Sequence, residues 1–376
     1  MNKKILLVSR CAWTLYNFRT GLMRELKKQG YQVLGGGAIG DGFESRIEAL
    51  GIPFFPLPVD KKGINPQADL NLLWTLYRWY RTERPAVVHH FTIKPVIYGS
   101  VAARLARVPR IVNTVTGLGY VFTEDRMARL RYLVELLYRV ALASAHCTFF
   151  LNREDHNMFL CKRLVNPAKA SLLPGEGIDC TLFTPSCINR TSMGALTFLM
   201  VSRLLRDKGV YEFVEAARLV KREFPKTCFQ LLGRRDERNP TVVSQVDLDQ
   251  WQAEGPVLWL GETADVRPHL ANADVMVLPS YREGTPRSLL EAAAMAKPII
   301  AADAVGCREV VEHRVNGLLV PVKDARGLAD AMIAMIRDPD TRMRMGRAGR
   351  EKVIREFDER IVIEKILKVY REWATA

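Results

Sequence analysis

Two glutamates carry the chemistry most readily read from this chain. Glu283 and Glu291 stand eight residues apart in EGTPRSLLEAAAMAKPIIA, Glu283–Ala301. The run Asp274–Leu278 before them is mostly apolar and reads as a buried strand. Pro279, Ser280, Gly284 and Pro286 then break the chain, and Arg287–Ala296, rich in Leu, Ala, Glu and Met, reads as a helix. Free backbone N–H groups at a helix start suit a phosphate, and carboxylates beside it accept hydrogen bonds from sugar hydroxyls. The pattern therefore suits a nucleotide sugar. For two glutamates alone, a solvated loop residue and a helix-start residue facing the dipole would be the plainer reading.

With its Gly, Pro and Leu context, the segment resembles the signature of the family 4 retaining glycosyltransferases. The resemblance implies the GT-B fold: α/β, two Rossmann-like domains with parallel sheets facing across a cleft. It also implies that Glu283 contacts the donor sugar and Glu291 the ribose. Gly284, Thr285, Pro286, Arg287 and Ser288 would meet the diphosphate through their backbone. A second loop, Ser202–Gly209 (SRLLRDKG), is similar to the family loop that brings Arg and Lys onto that diphosphate, which gives those roles to Arg203 and Lys208. Such cations offset charge growing on a leaving nucleoside diphosphate.

Short β-rich runs alternate with longer amphipathic stretches from end to end, as parallel sheets with crossover helices require. Six strands are expected in the first half: Ile5–Val8, Tyr31–Leu34, Pro53–Leu57, Ala86–Phe91, Arg110–Thr114 and Cys147–Leu151. Six more follow: Leu196–Val201, Cys228–Leu232, Val257–Leu260, Asp274–Leu278, Pro298–Ala301 and Leu318–Val320. The polar, aperiodic stretch Asp179–Ala195 reads as the linker. The expected domains are 1–185, an acceptor-binding unit, and 195–357, a nucleotide-sugar-binding unit; by the resemblance the last helix, 358–376, packs back on the first. Gly233 and Gly261 follow strands, where a missing side chain would let a base or ribose approach. An ordinary turn explains them equally well.

The triplet Gly35-Gly36-Gly37 opens a match to G-x-G-x-x-G, ending at Gly40, with Asp60 twenty residues on. It follows the second expected strand rather than the first, precedes only a short helix (Glu44–Leu50), and three prolines intervene before Asp60. These features argue against a dinucleotide-binding dehydrogenase.

In the first half Tyr16–Arg19, His89–Pro95 and Asn113–Phe122 resemble a narrower subset of the family, bacterial enzymes that extend a sugar carried on a polyprenyl diphosphate. The resemblance implies an acceptor site with Arg19, His90, Lys94 and Thr116; Lys61 and Lys62 could add charge to the acceptor diphosphate. Many family members have a His after the fifth strand where this chain has Thr116. A strand-end His is commonly a hydrogen-bonded structural residue. No carboxylate pair in this half suggests a double-displacement nucleophile.

The chain has 376 residues, 48% hydrophobic and 26% charged, with net charge +14. Residues 1–190 hold 26 Lys and Arg against 14 Asp and Glu; residues 191–376 hold 29 against 27. The basic excess of the first half implies an anionic partner, whether membrane lipid, phosphorylated acceptor or nucleic acid. The segment Arg126–Arg139 is basic and apolar and could lie on an anionic bilayer, although Leu130, Leu133, Val134, Leu137 and Ala141 have the spacing of a face turned to a sheet. No apolar run reaches about 18 residues, the span a membrane helix needs. The apolar stretch near the N-terminus is too short for a signal peptide. The expected location is cytoplasmic, peripheral on the inner face of the cell membrane. Seven cysteines (Cys11, Cys147, Cys161, Cys180, Cys187, Cys228 and Cys307) without CxxC spacing argue against disulfides and zinc.

The expected activity is transfer of a hexose or N-acetylhexosamine, with retention, from a nucleoside diphosphate sugar, expected to be UDP-linked, to a polyprenyl-diphosphate-linked sugar in cell-surface glycan assembly. No metal or other cofactor is expected, because Arg203 and Lys208 supply the charge. Two rivals remain: a UDP-sugar 2-epimerase of the same fold, and a non-catalytic nucleic-acid-binding protein. Only the charge favours the second, since no RNA-binding aromatic motif or helix-turn-helix accompanies it.

Overall fold

Ile5, Leu6, Leu7 and Val8 are fully buried, yet they serve two cores. Ile5 and Leu7 pack on one face of a sheet and Leu6 and Val8 on the other, because successive side chains of a strand point to opposite faces. A strand covered on both faces reads as a continuous apolar run, and both sheets of this protein are built that way. The computed structural model describes residues 3–60, 65–117, 128–185, 196–237, 239 and 241–372. The chain forms two compact units, Met1–Glu176 with Glu359–Ala376, and Gly177–Asp358.

The first unit carries β1 (Lys4–Cys11), β2 (Gln32–Ala38), β3 (Phe54–Pro56), β4 (Val87–Phe91), β5 (Arg110–Val115), β6 (Cys147–Phe150) and β7 (Ala170–Leu172). The second carries β8 (Thr197–Val201), β9 (Cys228–Leu232), β10 (Leu258–Trp259), β11 (Val275–Leu278), β12 (Ile299–Ala302) and β13 (Gly317–Val320). The spatial orders are 3-2-1-4-5-6-7 and 10-9-8-11-12-13. Every pairing is parallel. In each sheet the order reverses once, between β1 and β4 and between β8 and β11. Connections diverge there and leave a crevice at the carboxyl ends of the strands.

The first sheet has seven strands where six were expected. The addition, β7, is three residues long, lies at an edge and is not buried, so no apolar run announces it. The first unit ends at Glu176 rather than 185, and Gly177–Asp358 compares with the expected 195–357. Of the expected linker, 186–195 lie outside the described residues. The glycine triplet lies inside β2, not in a phosphate loop. A Cβ on Gly36 would lie 2.7 Å from the Trp79 ring, and one on Gly37 2.9 Å from the Ser9 carbonyl oxygen. These glycines therefore admit close packing on both sides of the strand.

The last helix, Glu359–Glu372, belongs to the first unit and buries Val362, Ile366, Leu367 and Tyr370 against the helix Ala12–Lys28 and the β1 core. A polar anchor fixes it: His89 Nδ1 lies 2.6 Å from the Tyr370 hydroxyl and His89 Nε2 lies 2.7 Å from Thr114 Oγ1. Its neighbour His90 is equally buried. His90 Nδ1 donates to Asn113 Oδ1 and Nε2 accepts from the Tyr80 hydroxyl, each at 2.9 Å. Burial holds His89 well below the usual imidazole range and brings His90 down to about 4.

Both imidazoles are thus neutral when folded and protonate on unfolding. Their contribution is complete above about pH 6.5 and is lost as pH falls towards 4; for His90 it amounts to about 3 kcal/mol. The melting temperature of the protein should accordingly drop steeply between about pH 6.5 and 4.5. A thermal unfolding series showing equal stability across that window would contradict the assignment.

Candidate functional site

At the strand-order reversal of the second sheet, the loop Ser202–Gly209 leaves β8 and the loop Pro279–Pro286 leaves β11. The two lie close enough to exclude side chains between their backbones. Gly209, which starts the helix Val210–Glu223, has φ 76°, and a Cβ there would sit 2.2 Å from the Pro279 carbonyl oxygen. The Tyr281 N–H donates to the Asp207 carbonyl at 2.9 Å, and Thr241 Oγ1 donates to the Asp207 carboxylate at 2.9 Å. Below them, the Tyr281 hydroxyl donates to Glu212 at 2.7 Å.

This frame brings Lys208 and Glu283 together. Lys208 Nζ donates to Glu283 Oε1 at 2.6 Å, with both side chains 15% exposed. A pair so withdrawn from water is held in one arrangement, and removing either partner strands the other's charge. The ammonium has two further N–H donors to offer a ligand. Arg203, on the same loop as Lys208, reaches Asp236 at 3.4 Å while its side chain stays 40% exposed. A third loop supports Glu283 from behind. The Glu283 N–H donates to the Val305 carbonyl at 3.0 Å, and Gly306 (φ 80°) passes so near that a Cβ would lie 2.4 Å from the Gly284 carbonyl oxygen.

Gly284, Thr285 and Pro286 follow directly, and the helix begins at Arg287 with Pro286 as its N-cap and no capping side chain. The observed helix, Arg287–Ala294, closes with a left-handed Ala296. Ser288 lies in its first turn, where main-chain donors are exposed along the axis. Arg287 Nε donates to Glu291 Oε1 at 3.1 Å. Burial pushes the Glu291 carboxyl above its ordinary range, and the Arg287 charge partly offsets this. Glu283 and Glu291 thus each have a cationic partner within the segment or beside it.

Of the two readings of Gly233, the packing around it favours a backbone role. Its φ is 148°, and a Cβ would meet the Ser202 carbonyl oxygen at 1.8 Å, so the space beside it is filled by the β8 loop rather than left open. Its carbonyl accepts from Trp259 Nε1 at 3.0 Å. Asp207, Asp236, Gly209 and Gly306 were not singled out from the sequence. The glycine directly after the Asp-Lys pair was the one available signal, since a helix preceded by Gly can begin from a left-handed residue.

In the first unit the expected acceptor residues divide. Arg19 is buried, pairs with Glu176 and lies over the Phe91 ring at 4.2 Å from its centroid. His90 has both ring nitrogens engaged. Both are therefore spent on internal partners. Lys94 lies beyond β4, 2.8 Å from Asp69 and 3.8 Å from Asp60. Thr116 is half-buried just past β5. Residues 118–122 of the motif Asn113–Phe122, and Lys61 and Lys62, lie outside the described residues. Among the described residues no group of three or more His, Cys, Asp or Glu could hold a metal ion.

Gly306→Ala should force an unfavourable φ, about 1–2 kcal/mol, and displace the Glu283–Gly284 backbone. Melting should fall by several degrees and turnover should fall further than stability explains. Wild-type values for both would refute this support of Glu283.

Comparison with known proteins places this geometry. The family described as "Glycosyl transferase 4-like" matches residues 4–152 and that described as "Glycosyl transferases group 1" matches residues 195–338. The chain is 27% identical over 377 residues to the N,N'-diacetylbacillosaminyl-diphospho-undecaprenol alpha-1,3-N-acetylgalactosaminyltransferase of Campylobacter jejuni, covering 96% of this chain and 97% of that protein. It is 29% identical to the UDP-Gal:alpha-D-GlcNAc-diphosphoundecaprenol alpha-1,3-galactosyltransferase of Escherichia coli, covering 84% and 83%. Among solved structures, Anabaena HepE in complex with UDP and glucose superposes with TM-score 0.78 at 18% identity, covering 98% of this chain and 99% of that one. Sucrose-phosphate synthase from Thermosynechococcus elongatus superposes with TM-score 0.80 at 18% identity, covering 99% and 100%. With its signature loops at the switch point of the second sheet and matches along both halves, the chain belongs to the family 4 glycosyltransferases of the GT-B fold.

Proposed function

We propose that this glycosyltransferase moves a hexose or N-acetylhexosamine, with retention, from a UDP-linked sugar to a sugar carried on a polyprenyl diphosphate. The observation that carries the proposal is the Lys208–Glu283 pair at the switch point, with Arg203 on the same loop. Substrates named for the two relatives, both diphosphoundecaprenol-linked sugars, support the acceptor class.

In this reading the diphosphate lies at the start of the helix Arg287–Ala294, and Glu291 accepts from the ribose hydroxyls. Glu283 does two things: it contacts the donor sugar and it holds Lys208 in register. Lys208 and Arg203 then receive the charge that grows on the diphosphate as the glycosidic bond breaks. The acceptor hydroxyl attacks the face from which the diphosphate departs, and a leaving oxygen takes its proton. Positive charge for the leaving group comes from side chains, and the reaction is proposed to need no metal.

Contact with an anionic membrane surface fits one helix. Leu133 was expected to face the sheet, yet in the helix Ala128–Ala143 the buried side is Tyr138, Ala141 and Leu142, while Tyr132, Leu133, Leu136 and Val140 form an exposed apolar stripe beside Arg139. An apolar stripe with flanking cations suits a bilayer interface. No helix among the described residues is long and apolar enough to cross a membrane. We place the enzyme at the inner face of the cell membrane, where its lipid-linked acceptor is held; nucleic acid is not a proposed partner.

Glu283→Ala should abolish transfer while leaving UDP affinity nearly unchanged, Glu291→Ala should weaken donor binding, and Lys208→Ala and Arg203→Ala should each lower kcat about 10²- to 10³-fold. The assay is transfer from UDP-sugars to a polyprenyl-diphosphate sugar. Normal turnover in both glutamate variants would end the proposal, and donor turnover without acceptor would favour the 2-epimerase. Leu133→Asp with Leu136→Asp should reduce sedimentation with phosphatidylglycerol vesicles several-fold; undiminished sedimentation would remove this helix from the membrane contact.

A further inference from the structure

The basic excess of the first unit has a focus that the transfer reaction does not use. A cavity of about 690 Å³ opens at the amino ends of β1, β4 and β5, the opposite edge of the sheet from the carboxyl ends where an acceptor would bind. Its walls are Tyr31, Tyr80, Tyr370, Val87 and Val108, and its rim holds Lys3, Arg81, Arg84, Arg107 and Arg110. Among the described residues no acidic side chain lines it.

Two features show that this charge exceeds what the fold itself consumes. Arg84 and Arg107 follow the C-termini of the helices Pro66–Glu83 and Ser100–Leu105, and each helix end offers about half a negative charge. Two such ends offset about one charge, and Arg84 and Arg110 have further interactions within the fold, so the surplus rests on Lys3, Arg81 and Arg107. Glu83, the nearest carboxylate in sequence, is taken by Lys4 at 2.9 Å. No ion pair among the described residues joins Lys3, Arg81 or Arg107 to a carboxylate. The positive field also extends along the same edge. His146 is pushed below the usual imidazole range, first by burial and then by Arg110, Lys169 and Arg104.

The Tyr80 and Tyr370 hydroxyls are already engaged by His90 and His89 inside the protein. An aromatic, apolar interior with a rim of guanidinium groups selects a ligand with two parts. Guanidinium forks match phosphate oxygens, and the walls take an uncharged body. We propose that this cavity is a second binding site, for a phosphate joined to an apolar group, with Arg81 and Arg107 at its mouth.

The ligand could come from two sources, a lipid headgroup or a soluble organic phosphate, and monomeric probes separate them. Calorimetric titration would compare dihexanoyl phosphatidate below its micellar concentration, phenyl phosphate and inorganic phosphate. Binding of either organic probe at least tenfold tighter than inorganic phosphate is expected, and the tighter of the two identifies the source. The double variant Arg81→Gln with Arg107→Gln changes exposed side chains and should keep its melting temperature and transfer activity. It should lose at least tenfold in affinity for the preferred probe, which also separates this site from the donor loops. Equal affinity for all three anions, or organic-probe affinity unchanged in the double variant, would overturn the proposal.

Discussion

The candidate site in the second unit depends on two loops being near enough to touch through their main chains. Gly209 against Pro279, and Tyr281 N–H on the Asp207 carbonyl, bring the connections leaving β8 and β11 together where the strand order of the second sheet reverses. Only then can a lysine of one loop reach a glutamate of the other at 2.6 Å. The positions of Arg203, of Gly284 to Ser288 and of Glu291 follow from the same two connections. The same contacts fix the charged side chains of the two loops in one arrangement.

The two histidines on β4 illustrate a different use of polar groups. Adjacent on a strand, they point to opposite faces and each satisfies both nitrogens inside the protein, His89 with Tyr370 and Thr114, His90 with Tyr80 and Asn113. Neither is available to chemistry. They tie β4 to β5 and to the helices that carry Tyr80 and Tyr370, and an unmatched partner at any of these positions would cost about 1–3 kcal/mol.

Much of the architecture was legible because parallel strands buried on both faces are written as unbroken apolar runs, as at Ile5, Leu6, Leu7 and Val8 of β1 and in Val275–Leu278. β7 carries no such run and was missed. Around the two loops of the second unit, the spacing of Glu283, Gly284, Pro286 and Glu291 announced a strand, a loop and a helix in the right order. It could not announce that Gly233 is filled from behind by Ser202, nor that Arg19 is spent on Glu176, because both depend on backbone brought from distant parts of the chain. Leu133 misled for a related reason. A helix with apolar residues on more than one side has two candidate inner faces, and only the packing of Tyr138 and Leu142 chooses between them.

The first unit is discontinuous: its β1 core stays uncovered on one side until Val362, Ile366 and Tyr370 arrive. The second unit is continuous from Gly177 to Asp358, whereas the first needs two segments separated by its whole length. A chain cut before Val362 would keep every strand of both sheets and still leave the apolar surface over β1 exposed.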